Sequence, residues 1–409
     1  MSDKLFLHDY TTSKTYTYGQ IIADLNSVSE VYEYCCTRDL YTIFLNIITA
    51  VAHNVNLVLL DSDFSELELQ NLSIDSSVIM QSIPVQQFNI NSTDELICKL
   101  QNNPDWKLTL FTSGTTGIPK KVVHKLISLT RAVRISERHS DDIWGFAYNP
   151  THIAGLQVFF QALLNANTLV NIFEAERTKV LELIKNFNIT NISATPTFFR
   201  LLLPLQEEYP SVKKLTSGGE KFDSNLSDNL LAAFPNAKLR NVYASTEAGT
   251  ILEAKDDTFS IKDESLCMIV DGELYIHKSL LGEGTALVME DGEWYATGDL
   301  VDVIETNPTS FRFQQRKNEM INVGGYKVNP YEVEQALEKH PLVKQAYIYG
   351  KSNAVLGNIL MADIVVTEVL SERELREFLA PLLQPFKIPR IINFVDSIEL
   401  TRTGKLKRT

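Results

Sequence analysis

Cysteine is scarce in this chain, with four residues among 409: Cys35 and Cys36 are adjacent, Cys98 and Cys267 isolated. That spacing matches neither a zinc site nor a dense disulfide framework, so all four are expected to be reduced, buried, structural thiols. Long apolar runs are lacking too. The stretches 43–52 and 153–164 are broken by Asn46, Thr49 and Gln157 and fall short of the roughly 18 residues a membrane helix needs, so no span is expected. The first residues carry no charged region, apolar block and small-residue cleavage site, which excludes a secretory signal and makes the cytoplasm the expected compartment. Positive charge is in deficit: 38 Lys and Arg against 51 Asp and Glu give a net charge of −13. A chain of that sign does not coat phosphate backbones, so nucleic acid is not an expected partner. Repeats and low-complexity linkers are absent as well.

What is present is an ordinary globular balance, 44% hydrophobic and 22% charged, long enough for two or three domains. Residues 108–111, 144–148, 168–173 and 189–194 are expected strands. Between them lie helical patterns: Val180, Leu181, Leu183, Ile184 and Phe187 fall at helical spacing, and Asp223 or Ser224 can cap a helix burying Leu226, Leu230, Leu231 and Phe234. Strand and helix in alternation predict α/β layers with crossover connections. After Glu247 short strands and turns take over, with Asp271-Gly272 and Asp291-Gly292 as turn signals. Beyond Gln315, Asn329-Pro330 starts a helix through Glu338, strands follow near 346–349 and 361–366, and Ser371 with Glu374 forms a capping box. The expected fold is therefore a large α/β domain with a β-rich subdomain, residues 1–314, and a small mobile α+β domain, residues 315–409.

The chemistry is concentrated in Phe111-Thr112-Ser113-Gly114-Thr115-Thr116-Gly117-Ile118-Pro119-Lys120, directly after an expected strand. Glycines let backbone N–H groups approach an anion, the hydroxyls donate hydrogen bonds and Lys120 adds a positive charge. Pro119 and the lack of a following Gly-Lys-Ser/Thr exclude a Walker A loop. A lone segment of this composition is more often a solvated turn. Here further segments follow in order: Gly218-Gly219-Glu220, Asn241-Val242-Tyr243-Ala244-Ser245-Thr246-Glu247, Thr297-Gly298-Asp299, Arg316 through Gly324 and Gly325 to Pro330, and Thr403-Gly404-Lys405 near the end.

Together these segments resemble the adenylate-forming superfamily of acyl-CoA and aryl-CoA synthetases, peptide-synthetase adenylation domains and luciferases, from about Leu108 onward. The resemblance implies an AMP-forming acid–thiol ligase that adenylates a small carboxylic acid with ATP and Mg²⁺ and passes the acyl group to coenzyme A. It places Thr112, Ser113, Gly114, Thr115, Thr116, Gly117 and Lys120 on the β- and γ-phosphates. Gly218, Gly219, Glu220, Asn241 and Tyr243 would line the adenine slot, and Thr246 would touch the α-phosphate. Glu247 would hold the metal, a hard cation suited to carboxylate and phosphate oxygens. Asp299 and Arg316 resemble the ribose pair, Gly324 and Gly325 part of the thiol tunnel, and Lys405 the catalytic lysine that bridges charge at the α-phosphorus. Taken alone, Lys405 with Lys407 and Arg408 would be a solvated basic tail.

His152 stands where the family often has a histidine or aromatic residue at the acyl pocket; a helix-start histidine packed on the core accounts for it equally. No Asp lies in that segment to meet an amine, which favours an amine-free acid. Departures from the family pattern are Lys121, Ala244 and Gln315 at frequent Gly positions and Asn318 at the hinge, and none removes a catalytic charge. Only 111 residues precede the phosphate loop, so the lobe shaping the acceptor and acyl sites is expected to be reduced. Two rivals remain: an enzyme loading the phosphopantetheine of a separate acyl carrier protein, and a non-catalytic nucleotide-binding sensor or scaffold.

Overall fold

The structure, a computed structural model, describes residues 3–62, 64, 66–112, 120–220, 222, 224–255, 257–284, 289–290, 292–317, 320–323, 326–353 and 357–399. Two units divide the chain: Met1–Asp257 with His277–Tyr295, and Thr258–Ile276 with Ala296–Thr409.

In the first unit the strands are β1 (Leu5–Asp9), β2 (Lys14–Thr17), β3 (Tyr34–Cys35), β4 (Leu57–Leu59), β5 (Lys107–Thr112), β6 (Lys120–Lys125), β7 (Ile143–Phe146), β8 (Thr168–Asn171), β9 (Asn191–Ala194), β10 (Lys214–Gly218), β11 (Lys238–Ser245) and β12 (Gly249–Lys255). One sheet runs β12-β11-β10-β9-β7-β8-β1-β2, parallel from β11 to β1 and antiparallel at its two flanks. A second sheet runs β3-β4-β5-β6, parallel except for the last pair. Helices α1 (Leu40–His53), α2 (Ile153–Leu163), α3 (Arg177–Phe187), α4 (Pro196–Leu202) and α5 (Ser224–Ala233) follow strands, as alternation requires.

The apolar run that includes residues 43–52 is α1. It buries Ile43, Phe44, Ile47, Ile48 and Val51, which leaves little face for solvent and fits a helix within the core. Phe44 stacks on Phe159 of α2 at 4.4 Å and meets Phe146 of β7 edge-on at 5.4 Å. Strand residues of both sheets, Leu169 and Trp144 from one and Leu57, Leu59, Leu108 and Leu110 from the other, share this core. A second core under α3, α4 and α5 holds Val180, Ile184, Phe199, Leu226, Leu230 and Phe234. Leu231, expected to be buried with them, is 40% exposed. The residues 226, 230 and 234 repeat every four positions and share a stripe, whereas 231 lies about 100° off it.

In the second unit, β13 (Cys267–Val270) and β14 (Glu273–His277) pair antiparallel around Asp271 (φ 49°) and Gly272 (φ 76°). Two consecutive positive φ values make the primed turn that an Asp-Gly pair favours. The motif Thr297-Gly298-Asp299 lies inside one long strand, β15 (Trp294–Thr306), rather than a short one, and β15 pairs with β16 (Thr309–Arg316).

Further on, Asn329 caps α6 (Pro330–Glu338) by accepting from the Tyr331 N–H, and Pro330 stands in the first turn. In a small sheet, β18 (Gly357–Val366) is the central strand: β17 (Val343–Asn353) pairs antiparallel along one side of it, and β19 (Ile391–Phe394) runs parallel to it on the other. The capping box of Ser371 and Glu374 opens α7 (Glu372–Leu379). Val333, Leu337, Leu375 and Leu379 from the two helices pack on Ala346, Ile348, Leu360 and Ile364 of the sheet.

Cys35 and Cys267 are buried and form no disulfide, as expected, and burial pushes the Cys35 thiol up to about 12. Cys36 and Cys98 are exposed, against expectation. Both sit where local structure, a loop after β3 and a helix surface, turns the side chain outward.

Candidate functional site

The parallel strands of the first unit end on one edge, where open α/β sheets place their ligands. Strand β10 ends there at Gly218. A Cβ on Gly218 would lie 2.7 Å from Val242 Cγ2 and 2.9 Å from the Val242 carbonyl oxygen, so the two strand ends approach more closely than any side chain permits. Gly219 follows at φ 84°, turning the chain across the edge. Asn241, opposite Ser217 in the register, is buried, and Tyr243 lies two residues further along the same strand.

Glu220 follows the glycines. Its Oε2 accepts from the Thr197 N–H at 3.0 Å and from Thr197 Oγ1 at 2.7 Å, which fixes it against the first turn of α4. Tyr148, after β7, is buried; burial raises its phenol, the Ser193 hydrogen bond opposes this and the charge of Glu220 adds to it.

Thr246 and Glu247 sit in the turn between β11 and β12. Consecutive carbonyls of this turn are each held: Thr246 by His124 Nε2 at 2.7 Å, Glu247 by the Gly282 N–H at 2.6 Å, and Ala248 by Arg131 Nη2 at 2.6 Å. A carbonyl only accepts, so His124 carries its proton on Nε2. Burial holds the His124 imidazole below its usual value, while the Thr246 carbonyl and Glu247 oppose that and Arg131 reinforces it.

His152 is the residue that starts α2, with extended backbone (φ −105°, ψ 153°). Its Nε2 lies 3.4 Å from Asp61 Oδ2, an acidic partner from the loop after β4. Asp61 is 8% exposed and accepts from Asn149 Nδ2 at 3.1 Å and from Thr151 Oγ1. Burial pushes the Asp61 carboxyl up, but His152 beside it and the bonds from Thr151 and Asn149 outweigh that and hold it below its ordinary value. The segment at His152 has no Asp of its own, and sequence reading missed the one that folding brings.

The strands flanking residues 113–119 pair antiparallel, with Thr112 opposite Lys120. Ser113, Gly114, Thr115, Thr116, Gly117, Gly324, Gly325 and Lys405 lie outside the described residues, as do the side chains of Thr112, Lys120 and Arg316.

In the second unit Asp299, 7% exposed, stands directly opposite Arg316 across β15 and β16. Buried Glu273 supports this position: it accepts from the Gly298 N–H at 2.8 Å and from Lys317 Nζ at 3.0 Å. The Lys317 N–H in turn donates to the Gly298 carbonyl at 2.7 Å. Glu273 and Lys317 were not singled out from sequence, because each acts on Gly298 and not on a motif of its own.

Within each unit, taken by itself, the donors are of kinds that suit a nucleotide. Glycines that leave the backbone bare stand beside a buried amide, and a carboxylate faces an arginine position. Among the described residues no three His, Cys, Asp or Glu side chains form a metal cage. A single carboxylate such as Glu247 is what Mg²⁺ takes when phosphate oxygens and water supply its other ligands. No helix among the described residues is long and apolar enough to cross a membrane.

Comparison with known proteins bears on the same segments. Residues 51–276 match the family of AMP-binding enzymes, and residues 332–405 match the AMP-binding enzyme C-terminal domain. A 4-hydroxybutyrate–CoA ligase of Metallosphaera sedula is 28% identical over 347 residues, covering 74% of this chain and 61% of the relative. A 2-succinylbenzoate–CoA ligase of Staphylococcus aureus is 28% identical over 337 residues, 75% of this chain and 67% of that one. The fold is similar to that of O-succinylbenzoate coenzyme A synthetase from Bacillus subtilis in complex with ATP and magnesium ion, at a TM-score of 0.72 and 20% identity, covering 99% of this chain and 95% of the other.

Proposed function

Since the chain belongs to the family of AMP-binding enzymes, we propose that it activates a carboxylic acid with MgATP as an acyl adenylate and passes the acyl group to coenzyme A. The observation that carries this reading is the gathering of Gly218, Gly219 and Asn241 on the strand edge that also bears the braced turn of Thr246 and Glu247. The ligase names of the relatives support it, although the chain spans only 61% of the length of the Metallosphaera enzyme.

In this reading the bare backbone at Gly218 and Gly219, with Asn241 and Tyr243, receives the adenine. Asp299 accepts from the two ribose hydroxyls, a suitable match for one carboxylate, with Arg316 beside it. Thr112 to Gly117 and Lys120 hold the β- and γ-phosphates, and Thr246 meets the α-phosphate. Mg²⁺ held by Glu247 would neutralise charge on the phosphate oxygens. The acid's carboxylate attacks the α-phosphorus, the bond to pyrophosphate breaks, and Lys405 bridges the negative charge that develops. A thiolate then attacks the acyl carbon and AMP leaves. We assign the second step to a rotation of residues 315–409 about Asn318, which brings Gly324 and Gly325 to the thiol path.

His152 is assigned to the acyl pocket. Asp61 is engaged by Asn149, Thr151 and His152, so it is not left over to meet a substrate amine, and an amine-free acid remains the favoured substrate. The reading sets the reaction in the cytoplasm, where ATP and free thiols coexist.

Pyrophosphate release from MgATP should be stimulated by one class among short-chain, long-chain, aryl and amino acids, with a coenzyme A thioester appearing when the thiol is added. Release without thioester would transfer the acceptor role to a carrier protein, and nucleotide binding without release would replace the enzyme with a sensor.

A further inference from the structure

The turn that carries Thr246 and Glu247 is held from three directions. His124 lies on β6, four residues beyond Lys120, and donates to the Thr246 carbonyl at 2.7 Å. Arg131 forks: Nη2 donates to the Ala248 carbonyl at 2.6 Å and Nη1 to the Leu280 carbonyl at 3.3 Å. Gly282, in the strap that follows Leu280, donates its N–H to the Glu247 carbonyl at 2.6 Å. The strap is itself paired to β6, through the Val123 N–H to the Glu283 carbonyl at 2.6 Å and the reverse bond at 2.7 Å. It can lie this close only as glycine: a Cβ on Gly282 would stand 2.8 Å from His124 Cε1 and 2.8 Å from Val122 Cγ1.

We propose that His124 and Arg131 are positioning residues that lock the turn of Thr246 and Glu247 to the strand leaving the phosphate segment. The inference rests on the nucleotide reading of this edge. With three successive carbonyls engaged, the turn's backbone cannot rotate toward the ligand without breaking one of these hydrogen bonds. The side chains of Thr246 and Glu247 are then presented at a fixed distance from β6, where the phosphate-binding segment ends. Such a frame is worth having because phosphate and metal contacts stabilise a reaction only when their geometry is set beforehand. His124 supplies the tie to β6, and Arg131 joins the turn to the Lys278–Leu280 segment through two separate guanidinium nitrogens, a planar fork that a lysine lacks.

The test uses the full chain with His124→Phe, which keeps the ring volume and removes the donor, His124→Gln, whose amide restores it, and Arg131→Lys. Amide hydrogen exchange on the unliganded protein, read over 245–250 and 280–284, should speed up about tenfold in His124→Phe and in Arg131→Lys, the size expected for losing one hydrogen bond, and return toward the parent in His124→Gln. In pyrophosphate exchange the KM for MgATP should rise by about the same factor while the KM for the acid stays put. Unchanged amide exchange in both His124→Phe and Arg131→Lys overturns the proposal, as does a His124→Gln variant as perturbed as His124→Phe, which would make the ring a packing element only. Arg131 lies at the surface, so its lysine variant reports even if His124→Phe fails to fold. The hydrogen-exchange arm needs no turnover, so a parent chain silent toward MgATP would sink the nucleotide reading while the bracing is decided separately.

Discussion

Replacing Asp61 removes the acceptor on which Asn149, Thr151 and His152 converge, and the cost can be worked out from its contacts. The carboxylate is buried and accepts from Asn149 Nδ2 and Thr151 Oγ1, with His152 Nε2 at 3.4 Å. Hydrogen bonds to a charged group contribute about 1.5 kcal/mol or more each, so Asp61→Ala should cost ~3 kcal/mol. The loss is moderated at Thr151, whose hydroxyl already contacts Asn149 Oδ1 at 2.8 Å, but Asn149 Nδ2 loses this acceptor. Asp61→Asn keeps one acceptor oxygen and should cost ~1 kcal/mol. The pH dependence has a definite sign. The folded carboxyl titrates below its ordinary value of 3.8, so the stability it contributes is complete above that value and is lost as pH falls through the lower folded one. Urea unfolding of the parent and both variants should therefore show the full gap at neutral pH and a closing gap below about pH 4. Asp61→Ala within ~0.5 kcal/mol of the parent at neutral pH, or a gap that widens on acidification, would refute the reasoning.

Gly218→Ala should destabilise the chain by ~1–3 kcal/mol, because the strand register fixes the Val242 carbonyl against which the new methyl would press; an unchanged melting temperature contradicts this. Phe44→Ala should cost ~3–5 kcal/mol in denaturant unfolding, since the ring is fully buried between Phe6, Phe146 and Phe159. Lys405→Ala should slow adenylation on the order of 10²-fold without altering thermal stability, and pyrophosphate exchange at the parent rate would remove Lys405 from the chemistry. Asp299→Ala should raise the KM for MgATP about tenfold and leave the KM for the acid alone, the opposite split assigning Asp299 elsewhere.

Local signals were legible wherever the physics is local. The capping box of Ser371 and Glu374, the Asn329-Pro330 helix start and the Asp271-Gly272 turn each depend on residues within four positions, and each stands where expected. Apolar runs located β5, β7, β8 and β9 to within about two residues, which is the usual fraying of element ends. The motif segments were readable because backbone demands at Gly218 and Gly219 leave no residue choice. Contacts between distant positions were not. Asp61 meets Asn149 across 88 positions, and His124 meets the Thr246 carbonyl across 122. No periodicity encodes such pairings, because they exist only once two sheets have packed. Glu273 escaped for the same reason, its partner Gly298 lying 25 positions away.

The central claim is tested most directly by ATP–pyrophosphate exchange on the full chain, with a panel of acids and no thiol present. Acid-dependent exchange that disappears in Lys405→Ala is the predicted result; exchange absent with every acid, in a chain that still binds MgATP, would contradict acyl adenylation.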